Sequence, residues 1–129
     1  MFDGVGGLCP CCSGLGFSDC CQPLLLGVRR AATAEALMRS RYSAFVVGDS
    51  GYLRDSWHPE YAPAKIELGG VRWVGLQILG KSGGGPLDSS GNVSFAATYE
   101  VGGQRLVLRE DSRFLRLAGA WVYVDAVGD

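Results

Sequence analysis

Apolar positions recur at helical spacing between residues 33 and 58, and at every second residue beyond residue 71. Thr33 offers a side-chain oxygen as an N-cap, Glu35 lies in the first turn where the helix dipole favours an acid, and Gly48 ends the helix after Val47. Leu37, Met38, Tyr42, Phe45 and Val46 form its apolar stripe, with Arg39 flanking that stripe and Arg41 on its edge. Asp49 caps a second, shorter helix running through Tyr52, Leu53 and Trp57, which His58-Pro59 terminates. Residues 60–70, with Pro63 and Gly69-Gly70, read as a loop that can lie over a pocket as a lid.

Residues 71–79 are apolar on both faces, which predicts a strand covered on both sides or near the centre of a sheet. Residues 80–92, holding Gly83-Gly84-Gly85-Pro86, predict a long mobile hairpin loop. Val93, Phe95, Ala97, Tyr99 and Val101 then alternate against Ser94, Thr98 and Glu100 in a half-buried strand, and Gly102-Gly103 predicts a tight turn. The next strand, 105–115, puts Leu106, Leu108, Glu110, Ser112 and Phe114 on one face and Arg105, Val107, Arg109, Asp111 and Arg113 on the other. After the Ala118-Gly119 turn a last strand covers 121–126. Two helices followed by four hairpin-linked strands predict an α+β fold, with the helices on one face of an antiparallel sheet.

Composition narrows the functional classes. A chain of 129 residues with 47% hydrophobic content has material for one ordinary core without help from a metal. Twelve basic against thirteen acidic residues give no overall electrostatic signature of a nucleic-acid binder. No apolar stretch approaches the roughly twenty residues needed to span a bilayer, so a membrane role has no support. The glycine runs sit in hairpins, so no strand-loop-helix phosphate cradle is formed.

All five cysteines fall in one stretch, Cys9-Pro10-Cys11-Cys12-Ser13-Gly14-Leu15-Gly16-Phe17-Ser18-Asp19-Cys20-Cys21. Such crowding has three explanations: a metal site, a disulfide knot or a redox centre. Cys9 and Cys11 form a Cys-x-Cys arm, Gly14 and Gly16 turn the chain back, and Cys20-Cys21 close the loop, so four thiolates can converge on one tetrahedral ion. The odd count, and the strain of a bridge between neighbours such as Cys20 and Cys21, argue against a disulfide knot. Residues 1–8 carry neither Lys nor Arg and no long apolar run, so a secretory signal is not expected; a cytoplasmic location would keep these thiols reduced. One structural Zn2+ held by Cys9, Cys11, Cys20 and Cys21 is the expected cofactor, because thiolate is soft and a closed all-sulfur site has no open position for catalysis. Cys12 is left over, and with the single histidine, His58, distant in sequence, no nucleophile with a credible base is seen.

Cys9-Pro10-Cys11, Ser13-Gly14 and Cys20-Cys21 resemble the SEC-C motif, a zinc-binding segment also found at the C-terminus of the SecA translocation ATPase. The resemblance continues through residues 36–45, Trp57-His58-Pro59, residues 72–76, Ser112-Arg113-Phe114 and residues 121–125, which together resemble the YchJ-like (UPF0225-type) family over nearly the whole chain. It implies a SEC-C segment over residues 1–23 and, over 24–129, a nuclear-transport-factor-two-like (cystatin-like) cone, with helices wrapped by a curved antiparallel sheet. It implies no reaction. SEC-C motifs usually have Gly where this chain has Cys12, and loop lysines where it has Leu15, Phe17 and Asp19, so a role resting on a basic knuckle is not expected.

Three functional classes follow. The first is a non-enzymatic interaction or adaptor module that meets a protein partner through the knuckle; the second is a small-ligand binder or enzyme using a pocket in the cone; the third is a thiol sensor in which Cys12 displaces a zinc ligand on oxidation. For the cone, the family motif sets Arg39 and Arg41 beside the core, with Tyr42 and His58 near them in sequence, and strand alternation turns Glu110 inward. An inward carboxylate needs a partner, so an ion pair between Glu110 and a helix arginine is expected, as a structural clamp or as part of a pocket.

Overall fold

The structure, a computed structural model, describes residues 7–127. Residues 1–6, which open the expected SEC-C segment and hold most of the stretch read for a secretory signal, lie outside the described residues. An antiparallel bridge joins Leu8 to Gly16, closing the cysteine loop. A 3-10 turn, Phe17–Asp19, follows, then a one-turn helix α1, Gln22–Leu25, with Pro23 in its first turn, where a missing N–H leaves nothing unpaired. The boundary expected at 23/24 falls inside α1. Cys9, Cys11, Phe17 and Cys21 belong to the same buried cluster as Leu37, Met38 and Tyr42, so the knuckle and the body share one core.

Helix α2, Ala34–Val47, starts and stops where its caps dictate. Thr33 Oγ1 accepts a hydrogen bond from Ala36 N at 3.0 Å, and Gly48 at φ 81° takes the left-handed conformation that turns the chain away. Helix α3, Ser50–Asp55, is capped by Asp49 Oδ1, which accepts from Tyr52 N at 3.0 Å. It ends before Trp57, earlier than the sequence suggests, because Trp57 forms a parallel bridge to Tyr123 and His58 N donates to Tyr123 O at 2.8 Å.

Four strands, β1 (Arg72–Gly83), β2 (Ser90–Val101), β3 (Gln104–Leu117) and β4 (Ala120–Val127), form an antiparallel meander in the order β1-β2-β3-β4. Irregularities between Trp73 and Gly75, between Ile78 and Gly80, and between Arg113 and Phe114 bend the outer strands, as bulges do. Leu76, Val93, Phe95, Ala97, Phe114 and Trp121 meet α2 on one face of this sheet, giving the expected α+β arrangement.

Two expectations are corrected. Segment 71–79 is not a covered central strand: β1 is an edge with one neighbour, and apolar side chains such as Leu79, 51% exposed, remain in solvent. Segment 80–92 is not a long loop, because β1 runs to Gly83 and β2 begins at Ser90. A Cβ on Gly91 would lie 2.5 Å from Gly84 Cα, so glycine at 91 lets the two backbones close together here. The remaining turn is held by its neighbours: Ala34 N donates to Gly84 O at 2.9 Å, and Arg116 Nε donates to Asp88 O at 2.7 Å.

Candidate functional site

The thiol sulfurs of Cys9, Cys11, Cys20 and Cys21 all lie within 4.8 Å of one another, and no disulfide joins them. The Cys11–Cys20 separation is 3.6 Å and the Cys20–Cys21 separation 3.9 Å. A tetrahedron with Zn–S bonds of about 2.3 Å has edges of about 3.8 Å, so the donor set fits such an ion. The electrostatics of the four thiols are strongly coupled. Hydrogen bonds from Cys21 and Cys9 hold the Cys11 thiol far below its ordinary range. The Cys21 thiol, bonded to Cys11 and Cys9, is driven far above it, and burial pushes Cys20 up to about 11. Packed thiols of this kind cannot all ionise unless a positive ion shares the site.

The surroundings fasten the cluster to the body. Ser43 Oγ of α2 lies 3.5 Å from Cys9 Sγ, and Ser13 Oγ lies 3.2 Å from Cys20 Sγ. Arg39 Nη1 donates to Cys11 O at 2.7 Å, while its Nε bonds Glu35 at 3.0 Å. Glu35 is also paired with Lys81 of β1 at 2.8 Å, and that bond, ahead of Arg39, holds its carboxyl below the ordinary range. A chain of charges thus runs from strand β1 through α2 to the backbone of Cys11 in the cluster. Cys12 stands outside the cluster: it is exposed, and its Sγ accepts from Leu76 N at 3.4 Å. Its φ of 67° is the left-handed conformation, which explains why glycine is usual at this place in the motif.

A second feature is a cavity of about 420 Å3 between α2, the 67–71 segment and the helix-facing side of the sheet. Arg41, Tyr42 and Glu110 line it; Arg39 and His58 do not. Arg41 is 5% exposed, its guanidinium carbon 5.0 Å from the centre of the Trp57 ring and 4.6 Å from that of Tyr123. Its Nη1 donates to Leu53 O at 2.8 Å and Ser56 Oγ at 2.7 Å, and burial pulls the group down to about 10. Burial pushes Tyr42 and Tyr123 each up to about 12, with the Glu110 charge adding to the latter.

The expected direct ion pair between Glu110 and a helix arginine is absent among the described residues. Arg39 and Arg41 lie about 200° apart around the helix, so they serve opposite flanks, one the knuckle and the other the cavity. Glu110 does face inward, paired across the ladder with Phe95, and desolvation raises its carboxyl. His58 spends its groups locally: Nδ1 accepts from Glu60 N at 3.1 Å and its ring stands edge-on to Tyr61. The walls supplied by Trp57, Trp73, Tyr99 and Tyr123 escape sequence reasoning. Their alternation is visible in the sequence, but the register that sets Trp73 beside Tyr99 is not.

A cysteine knuckle that shares a core with helices on a four-stranded sheet defines a SEC-C motif protein with a nuclear-transport-factor-two-like body. Residues 33–126 match the model of the middle, NTF2-like domain of YchJ. A UPF0225 protein of Streptomyces coelicolor is 48% identical over 118 residues, covering 91% of this chain and 92% of that protein. Another, from Deinococcus radiodurans, is 45% identical over 120 residues, covering 92% and 87%. The chain belongs to the YchJ-like UPF0225 family. Its fold is similar to the solution structure of a SEC-C motif containing protein from Rhodopseudomonas palustris, with TM-score 0.83, 33% identity and coverage of 94% of this chain and 98% of that one. A crystal structure of a SEC-C motif containing protein from Psychrobacter arcticus gives TM-score 0.76 at 25% identity, covering 98% and 85%.

Proposed function

We propose that this chain is a zinc-bearing, non-enzymatic interaction module: the four thiolates hold one structural Zn2+, and the knuckle so fixed is offered to a protein partner. The observation that carries the zinc is the mutual approach of four sulfurs within 4.8 Å, a donor set that by itself fills the four positions of a tetrahedral ion. The partner surface is the outer face of the cysteine hairpin, where Leu8 and Leu15 stand 64% and 54% exposed on its two arms. Residues 7–26 hold no Lys or Arg and one acid, Asp19, and four thiolates around Zn2+ add a formal charge of about −2. That balance favours a protein surface over nucleic acid. Reduced, metal-ready thiols suit a cytoplasmic setting.

Affinity capture with the zinc-loaded parent and with Leu8→Asp/Leu15→Asp tests the partner role without touching the core. Deleting the knuckle would instead expose Phe17 and its neighbours in the shared cluster. A bound protein lost in the double variant is the expected result; identical capture by both removes the knuckle from the interaction.

A second reading, a small-ligand site in the cone, is favoured by one observation: Arg41 is buried at the cavity wall with no carboxylate against it among the described residues.

A further inference from the structure

Resting on that cavity reading, we propose that the cone binds a planar aromatic carboxylic acid bearing a second, hydrogen-donating group, its carboxylate taken by Arg41 and its donor by Glu110. Arg41 uses one of its three nitrogens, Nη1, on Leu53 O and Ser56 Oγ. Among the described residues Nε and Nη2 have no protein acceptor, although the residue is 5% exposed. Neither nitrogen is among the fully enclosed unpartnered atoms, so in a residue that lines the cavity they are open to a ligand anion, in the paired geometry guanidinium prefers.

The sheet supplies the complement. Glu110 lines the same cavity, half-buried, with no hydrogen-bond donor or cation against it among the described residues. A carboxylate in that position accepts a ligand hydroxyl or amine. Trp73 contributes its ring to the wall, while its Nε1 is enclosed without an acceptor. Between these polar points the walls are aromatic: Phe45, Trp73 and Tyr99 on one side, Trp57 and Tyr123 on the other. Tilted and edge-on rings of this kind favour a flat, conjugated body over a globular aliphatic one. The volume, about 420 Å3, is in the range of pockets that enclose small molecules.

Titration of the zinc-loaded full chain with sodium 4-hydroxybenzoate, followed by NMR of the indole N–H groups, tests this. Trp57 and Trp73 line the cavity; Trp121, whose Nε1 donates to Ala32 O at 3.3 Å, serves as the internal control. Saturable shifts are expected at the first two and not at the third. The neutral 4-hydroxybenzamide should bind at least about tenfold more weakly, since it lacks the charge for Arg41. Glu110→Gln should shrink the preference for 4-hydroxybenzoate over benzoate, a comparison that does not require altering Arg41. Equal binding of acid and amide overturns the acid class while leaving the cavity as a ligand site. An unchanged hydroxyl preference in Glu110→Gln overturns the role of Glu110. No shift at Trp57 or Trp73 with any of the three compounds up to about 10 mM overturns the cavity reading itself.

Discussion

Arg39→Met removes a side chain that ties α2 to the backbone of Cys11 in the thiol cluster while keeping most of its apolar stem. The loss is one charge-assisted bond to Cys11 O at 2.7 Å and one i,i+4 ion pair to Glu35 at 3.0 Å. The first contributes about 1.5–3 kcal/mol, and the second, with side chains 21% and 24% exposed, about 0.3–0.5 kcal/mol. A total near 2 kcal/mol corresponds to about a thirtyfold change in an equilibrium constant. Because the knuckle closes on the ion and on α2 together, that change is expected in zinc affinity, measured by competition with a chromophoric chelator. Glu35→Gln is the control: it weakens the ion pairs but leaves the Arg39–Cys11 bond, and should cost no more than about threefold. Zinc affinity of Arg39→Met within twofold of the parent would show that the knuckle does not depend on this fastening.

Gly84→Ala places a methyl 2.7 Å from the Ala34 Cβ at φ +77°, and is expected to lower stability by about 2 kcal/mol or more in urea unfolding. Cys12→Gly should leave zinc stoichiometry at one by mass spectrometry and shift stability by no more than about 1 kcal/mol, since glycine accepts the φ of 67° without strain. Glu110→Gln should raise the melting temperature at neutral pH. Desolvation raises the folded carboxyl of Glu110, so its contribution is most favourable at acid pH and is lost as pH rises through the raised value; the advantage of Gln should vanish once the parent is protonated. A melting temperature lowered at neutral pH would mean that Glu110 has a stabilising partner.

The helices were legible because their signals are local. Thr33, Gly48 and Asp49 act on their own turns, and α2 begins and ends where they say. The cluster of four thiols was legible for the same reason, its members being close in sequence as well as in space. What escaped depends on register and side. The two apolar faces of β1 mimic a central strand, but a meander leaves its first strand with one neighbour. Glycines at 83, 84 and 91 read as a loop, whereas they permit the close backbone approach that extends the hairpin. The motif that sets Arg39 and Arg41 together hides their division of labour, which follows from helical geometry: one reaches Cys11, the other the space between Trp57 and Tyr123.

X-ray absorption at the zinc edge on the purified, reduced protein, with metal content measured on the same sample, is the most direct test of the central claim. One zinc per chain with four sulfur scatterers near ~2.3 Å is the expected result. A nitrogen or oxygen ligand in the first shell, or a reduced protein that leaves purification without metal, would contradict a closed structural site of Cys9, Cys11, Cys20 and Cys21.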